Sequence, residues 1–276
     1  MRHGITMFAT DLSMSPAELA REVEARGFDS LYLPEHTHIP TSRKTPPPTG
    51  DAELAEEYKR TLDPFVALAQ AAAVTTRIEL GTGVCLVAQR EPIVTAKQVA
   101  TLDHLSGGRF VLGVGFGWNQ DEAENHGLVF SERRAVARDH VLAMRQLWEH
   151  DVASFDGPHV KLAPSYSWPK PRRRVPVLLG GGSGPKLFEH LAEWADGWIP
   201  IGGAGLAAAL PELRRVMEMR GRDPATLRIV PFGTLPDAGK LAYYREIGVT
   251  ETVFRVPSAG RDEVLAALDR WARLLA

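Results

Sequence analysis

The chain has 276 residues, one cysteine and a formal net charge of −2 at neutral pH. That balance excludes the basic stripe of a nucleic-acid or anionic-membrane binder, and one cysteine excludes an intrachain disulfide and points to a reducing, cytosolic setting. No apolar run approaches the ~18 residues of a membrane span, and the N-terminus lacks the apolar core and cleavage site of a signal peptide.

Residues 3–9 read as a first strand. Ser15-Pro16-Ala17-Glu18 then opens a helix, with Ser15 as N-cap, proline at the first helical position and Glu18 completing a capping box; Gly27 ends it. Residues 29–33 form a second strand. A proline-rich stretch follows from Pro34 to about Thr61, and its Thr45-Pro46-Pro47-Pro48-Thr49-Gly50 run cannot be regular structure. Asp63-Pro64 starts the next helix, and Ile78–Val84 is the third strand. Glu91-Pro92 starts a helix that Ser106-Gly107-Gly108 stops, and Phe110–Val114 is the fourth strand.

The alternation continues in the second half. Ser131 is read as the cap of a helix running to about Glu149. A hairpin over 152–161 turns at Asp156-Gly157-Pro158. Val175–Leu179, Gly197–Ile201, Leu227–Pro231 and Thr250–Arg255 are strands five to eight. The helices between and after them start near Pro185 and cover roughly 206–220, 238–246 and 261–274. The last carries Val264, Leu265, Leu268, Trp271 and Leu275 as an apolar stripe. Val111-Leu112-Gly113-Val114 and Val175-Pro176-Val177-Leu178-Leu179 are apolar on both faces, as buried parallel strands are. Eight consecutive strand–helix units without a linker predict one domain over 1–276, an α/β chain closed into a (β/α)8 TIM barrel. An open doubly wound sheet is the alternative.

In such barrels the chemistry sits on the loops that follow the strands. The Gly180–Gly184 run lets backbone amides converge ahead of a helix N-terminus, which suits a phosphate; the plainer reading is a turn that packs the helix closely. Gly113-Val114-Gly115-Phe116-Gly117 is not a dinucleotide fingerprint, because Trp118 stands where the third glycine belongs. It reads instead as backbone lying against a flat ring, with Trp118 and Asn119 lining a pocket or, for Trp118, simply packing at the rim. Gly81-Thr82-Gly83 has little side-chain bulk and would admit a planar cofactor deep into the mouth. Cys85 reads as a small buried hydrophobe.

Glu35, His36 and His38 form the one titratable cluster expected at the mouth. A metal centre would need further ligands at later strand ends, and these are missing, so no metal site is expected. His36 is the candidate proton donor beside a cofactor ring, whereas His38 reads as a surface histidine. Arg172-Arg173-Arg174 lies ahead of strand five, at the far end of the barrel, and reads as a solvated run.

At these residues the sequence resembles the luciferase-like flavin oxidoreductase superfamily. The resemblance spans nearly the whole chain. It is strongest in Asp63-Pro64-Phe65-Val66-Ala67-Leu68-Ala69, in Leu80-Gly81-Thr82-Gly83-Val84, and from Lys97 through Arg109 into Gly113–Asn119. Within the superfamily the pattern resembles the branch that uses coenzyme F420, a deazaflavin. The resemblance implies cofactor contacts at Glu35 and His36, at Gly83, Val84 and Leu86 around a non-proline cis peptide between Gly83 and Val84, and at Gly117 and Asn119. It implies cofactor phosphate at Gly181, Gly182 and Ser183, and a homodimer. Trp118 replaces the glutamate that acts as acid in sugar-phosphate dehydrogenase relatives, which puts that substrate in doubt, while Glu35 stands where several relatives carry aspartate. The expected activity is hydride transfer between F420 and a small organic substrate, with His36, Glu35 and Trp118 as catalytic candidates. The 37–62 stretch would serve as a lid, and a cofactor-reducing enzyme would be the hydride source. An FMN-dependent monooxygenase and a non-catalytic flavin-binding protein are the rival readings.

Overall fold

Strands that are apolar on both faces need cover on both sides, and here the sheet provides it by curling on itself. The computed structural model describes residues 1–47, 53–234 and 237–275. Its first half runs β1 (Arg2–Thr6), α1 (Pro16–Ala25), β2 (Ser30–Leu33), α2 (Glu56–Lys59), α3 (Pro64–Ala73), β3 (Glu79–Thr82), α4 (Pro92–Leu105), β4 (Phe110–Val114) and α5 (Gln120–Asn125). The second half runs α6 (Arg133–Glu149), β5 (Ala153–Asp156), β6 (Lys161–Ser165), β7 (Val177–Gly180), α7 (Pro185–Trp194), β8 (Gly197–Ile199), α8 (Leu206–Met219), β9 (Arg228–Ile229), α9 (Ala238–Ile247), β10 (Glu251–Arg255) and α10 (Arg261–Ala272).

Eight strands pair in parallel in the order β10-β1-β2-β3-β4-β7-β8-β9, and β5 and β6 form a separate antiparallel hairpin. Between β9 and β10 the ring is bridged by single residues: Phe232 pairs with Val253, and the Gly233 amide donates to the Val253 carbonyl at 2.9 Å. The fold is a (β/α)8 barrel.

Two apolar cores result. Tyr32, Val111, Leu178, Ile199, Val230, Phe232 and Val253 fill the barrel interior, with Val84 packed against them. A larger core lies between strands and helices, where Val264 and Leu268 of α10 are buried and Leu265, Trp271 and Leu275 pack against it. The N-terminal ends of the strands close with charge. Arg2 Nη1 lies 2.5 Å from Glu79 Oε2, and Arg228 Nη2 lies 2.9 Å from Glu79 and 2.7 Å from Glu251. This floor leaves the opposite, C-terminal end as the mouth.

The helix starts follow their caps. Ser15, Asp63 and Glu91 accept from the first-turn amides of α1, α3 and α4, each with proline just inside. Ser131 does not cap α6: it lies in a 3-10 turn, and Glu132 takes the cap position without a side-chain bond. The hairpin extends past the expected 152–161 to Ser165. The Arg172-Arg173-Arg174 run is bonded rather than merely solvated. The Arg172 amide donates to Asp103 at 2.7 Å, Arg173 reaches Glu79 at 3.1 Å and Arg174 reaches Asp196 at 2.6 Å. Pro48, Thr49 and Gly50 of the proline-rich run lie outside the described residues.

Candidate active site

Pro34 ends β2 and turns Glu35 and His36 into the mouth, where the two take different neighbours. Glu35 is 3 % exposed. Its Oε2 accepts from the Leu86 amide at 2.7 Å and its Oε1 from Arg90 Nε at 2.5 Å. Arg90 also reaches Asp63, the cap of α3, at 2.6 Å and lies over the Phe65 ring at 4.8 Å. Burial alone would weaken the Arg90 charge, but Glu35 beside it outweighs this and holds the guanidinium above its ordinary range. Glu35 therefore ties the β2 loop to the β3 loop, and both of its oxygens are engaged in doing so.

His36 turns the other way. Its Nδ1 lies 2.9 and 3.1 Å from the two carboxylate oxygens of Glu122, with side-chain exposures of 7 and 1 % for the pair. Tyr58 of α2 packs against the imidazole at 5.3 Å between ring centres and Trp118 at 6.1 Å edge-on, while Phe8 stacks behind Tyr58 at 4.7 Å. His38 joins Asn125 at 3.0 Å and packs edge-on to His126, at the rim. No group of three or more metal-ligating side chains occurs among the described residues.

The sequence points to Glu35, His36 and His38 as the only cluster of titratable groups at the mouth and does not single out Glu122. It arrives because Asn119 starts a short helix there. The Asn119 side-chain oxygen accepts from the Glu122 amide at 3.4 Å. An asparagine followed three residues later by glutamate is the signal that would have found it. Lys44 and Thr45 dock at the same helix and just ahead of it: the Lys44 amide donates to Asp121 at 2.6 Å, Lys44 Nζ meets Glu124 at 2.6 Å, and Thr45 Oγ1 donates to the Trp118 carbonyl at 2.9 Å.

The glycines at the mouth serve close packing more than an opening for a ring. A Cβ on Gly81 would lie 2.3 Å from the Tyr32 ring, and one on Gly83 would lie 2.5 Å from the Phe232 ring. The expectation that Gly81-Thr82-Gly83 leaves room deep in the mouth is therefore corrected, because Tyr32 and Phe232 already fill it. The peptide between Gly83 and Val84 is cis. Val84 closes the barrel interior from above, with Leu86 buried beside it. Cys85 is fully buried, and burial pushes its thiol well above the ordinary range.

Several features suit a flat, polar-edged, phosphate-bearing cofactor. Gly117 has a φ of 75°, which turns the chain after β4. Beside it, Asn119 Nδ2 and Gln89 Oε1 are buried without a hydrogen-bond partner among the described residues. Such unmet groups are costly unless a bound molecule meets them. In the Gly180–Gly184 run, the Gly181 amide is already given to Ile199 at 3.3 Å and its carbonyl to Trp198 Nε1 at 2.8 Å, so Gly181 anchors the loop. Gly182 and Ser183 are exposed, a Cβ on Gly182 would meet nothing within 4 Å, and α7 begins at Pro185. The part of the run left open toward solvent is thus Gly182–Gly184, ahead of the first turn of α7.

A (β/α)8 barrel with a buried histidine–carboxylate pair after one strand and an open glycine loop after another has the layout of the barrel enzymes that work at the mouth. The chain belongs to the luciferase-like monooxygenase family, whose model matches residues 15–235. It is 44 % identical over its whole length to an uncharacterized protein of Mycobacterium tuberculosis, covering 99 % of that protein. It is 31 % identical to an F420-dependent glucose-6-phosphate dehydrogenase of Kineococcus radiotolerans, over 75 % of this chain and 59 % of that one. Among solved structures, an F420-dependent secondary alcohol dehydrogenase in complex with an F420–acetone adduct superposes with a TM-score of 0.79 at 18 % identity, over 99 % of this chain and 98 % of the other. The coenzyme F420-dependent tetrahydromethanopterin reductase of Methanopyrus kandleri superposes with a TM-score of 0.75 at 17 % identity, over 99 and 97 %.

Proposed function

We propose that this protein is an F420-dependent oxidoreductase acting on a small organic substrate. The observation that carries the reading is a buried imidazole held by a carboxylate at the barrel mouth, walled by Tyr58 and Trp118, in a family whose named relatives include F420-dependent enzymes. When bound, the deazaflavin supplies the hydride chemistry.

The protein's part is placement and proton transfer. Gly182, Ser183 and Gly184 with the first turn of α7 would hold the phosphate. Asn119 Nδ2 and Gln89 Oε1 would meet the polar edge of the ring, and Val84 and Leu86 would support it. His36 is the proton donor to the substrate oxygen, and Glu35 keeps the β2 and β3 loops in register for it. Trp118 puts an indole where the sugar-phosphate relatives place an acid, so the substrate side is apolar there and a sugar phosphate is not the expected substrate. Lys44 and Thr45, docked beside α5, would help to keep water from the imidazole.

Titration of the purified protein with F420 and, separately, with FMN, followed by absorbance, tests the assignment. Saturable binding of F420 is expected, and His36→Ala should abolish turnover while leaving F420 affinity nearly unchanged. Binding of FMN alone, or of neither molecule, overturns it.

A further inference from the structure

We propose that Glu122 is the positioning residue for His36. It keeps a proton on Nδ1 and thereby makes Nε2 the nitrogen that exchanges protons at the mouth. The inference rests on the proton-donor reading of His36 but is argued from this chain's own geometry.

Both carboxylate oxygens of Glu122 face one ring nitrogen, at 2.9 and 3.1 Å, and among the described residues no other side chain or amide bonds to that carboxylate. Its side chain is 1 % exposed. A carboxylate so placed needs a donor, because the desolvation of an unpaired buried charge costs several kcal/mol. Nδ1 is the only donor to it among the described residues, so the proton on Nδ1 is held whether the ring is neutral or charged. Among the described residues no hydrogen bond engages Nε2.

The consequence for acid catalysis is specific. With Nδ1 always protonated, a proton on Nε2 exists only in the imidazolium, and losing it returns a neutral ring that is ready to be recharged. Without the carboxylate, the neutral ring can keep its proton on Nε2, where it is far too weak an acid to give it up. Glu122 thus does for His36 what an orienting carboxylate does for a general base, fixing tautomer and angle. The remaining groups around the imidazole do not compete for Nδ1. Tyr58 of α2 and Trp118 meet it through their rings, Glu35 is held by Arg90 and the Leu86 amide, and His38 is paired with Asn125 and His126 at the rim.

The test uses the full chain without cofactor, labelled with 15N at its histidines, and long-range proton–nitrogen spectra in which His36→Ala identifies the His36 signals. In the wild type the neutral ring should show a protonated Nδ1 and a bare Nε2. Glu122→Gln keeps an acceptor oxygen and should retain this tautomer. Glu122→Leu should move the proton to Nε2. With substrate and F420, Glu122→Leu should lower kcat by about a hundredfold or more with KM and F420 affinity changed less than about threefold, and Glu122→Gln should fall between it and the wild type. A bare Nδ1 in the wild type overturns the proposal. So does a Glu122→Gln ring whose proton sits on Nε2, an outcome readable even if Glu122→Leu does not fold. If the tautomer behaves as stated but F420 does not bind, the cofactor assignment fails and the positioning of His36 stands.

Discussion

Gly115 lies directly beneath Val84: a Cβ added at Gly115 would sit 2.3 Å from Val84 Cγ2. The β4 loop and the β3 loop are therefore in contact through one missing side chain. Gly115→Ala should push Val84 off its seat on the barrel core and cost about 1–3 kcal/mol by overpacking, measured as a shift in the urea midpoint. Cofactor affinity should fall with it, since Val84 is the proposed support for the ring.

Gly182 offers the opposite contrast. A methyl there meets no protein atom within 4 Å, so Gly182→Ala should leave the thermal midpoint close to wild type. It would place that methyl at the proposed phosphate cradle. F420 affinity should drop at least about tenfold, or 1.4 kcal/mol, by absorbance titration. Unchanged affinity would move the phosphate away from this loop.

Glu35 and Arg90 test whether a mouth carboxylate is chemistry or scaffold. Arg90→Ala leaves Glu35 buried at 3 % exposure without its counter-charge. Removing one partner of such a pair typically costs about 3–5 kcal/mol. Chemical denaturation should show a loss of that size, and the double variant Glu35→Gln/Arg90→Ala should recover part of it.

The barrel floor sets an acid limit on stability. Burial raises the Glu79 pKa, but Arg228 and Arg2 outweigh that and hold it below the ordinary 4.5. A carboxylate with a depressed folded-state pKa contributes stability that is present above its unfolded pKa and lost as pH falls through the folded value. Denaturation midpoints should therefore decline as pH drops below about 4.5. Glu79→Gln should be less stable at neutral pH and show a shallower acid decline.

The contact between Lys44 and α5 is exposed. Lys44 is 58 % exposed where it meets Asp121 and Glu124, and such pairs contribute roughly 0–1 kcal/mol. Asp121→Asn should leave the global midpoint unchanged yet speed hydrogen exchange at the Lys44 amide, which donates to that carboxylate. Equal exchange rates in the two proteins would show that Lys44 is held by other contacts.

Much of the barrel was legible in the chain because its signals are local. Proline behind a capping Ser15, Asp63 or Glu91 starts a helix whatever surrounds it, and strands apolar on both faces, such as Val111–Val114, must be buried on both sides. The positions of His36 and of the exposed Gly182 and Ser183 were legible for the same reason, since each follows a strand end. Three matters were decided by tertiary structure alone, because each depends on side chains far apart in sequence. Tyr32 and Phe232 fill the space that Gly81 and Gly83 leave open, Arg90 takes up both the charge and the freedom of Glu35, and Glu122 reaches His36 across 86 positions. A sequence states which groups lack bulk or carry charge. Only packing determines which neighbour takes up the space and which partner the charge, because several candidates of the same chemistry compete for each position.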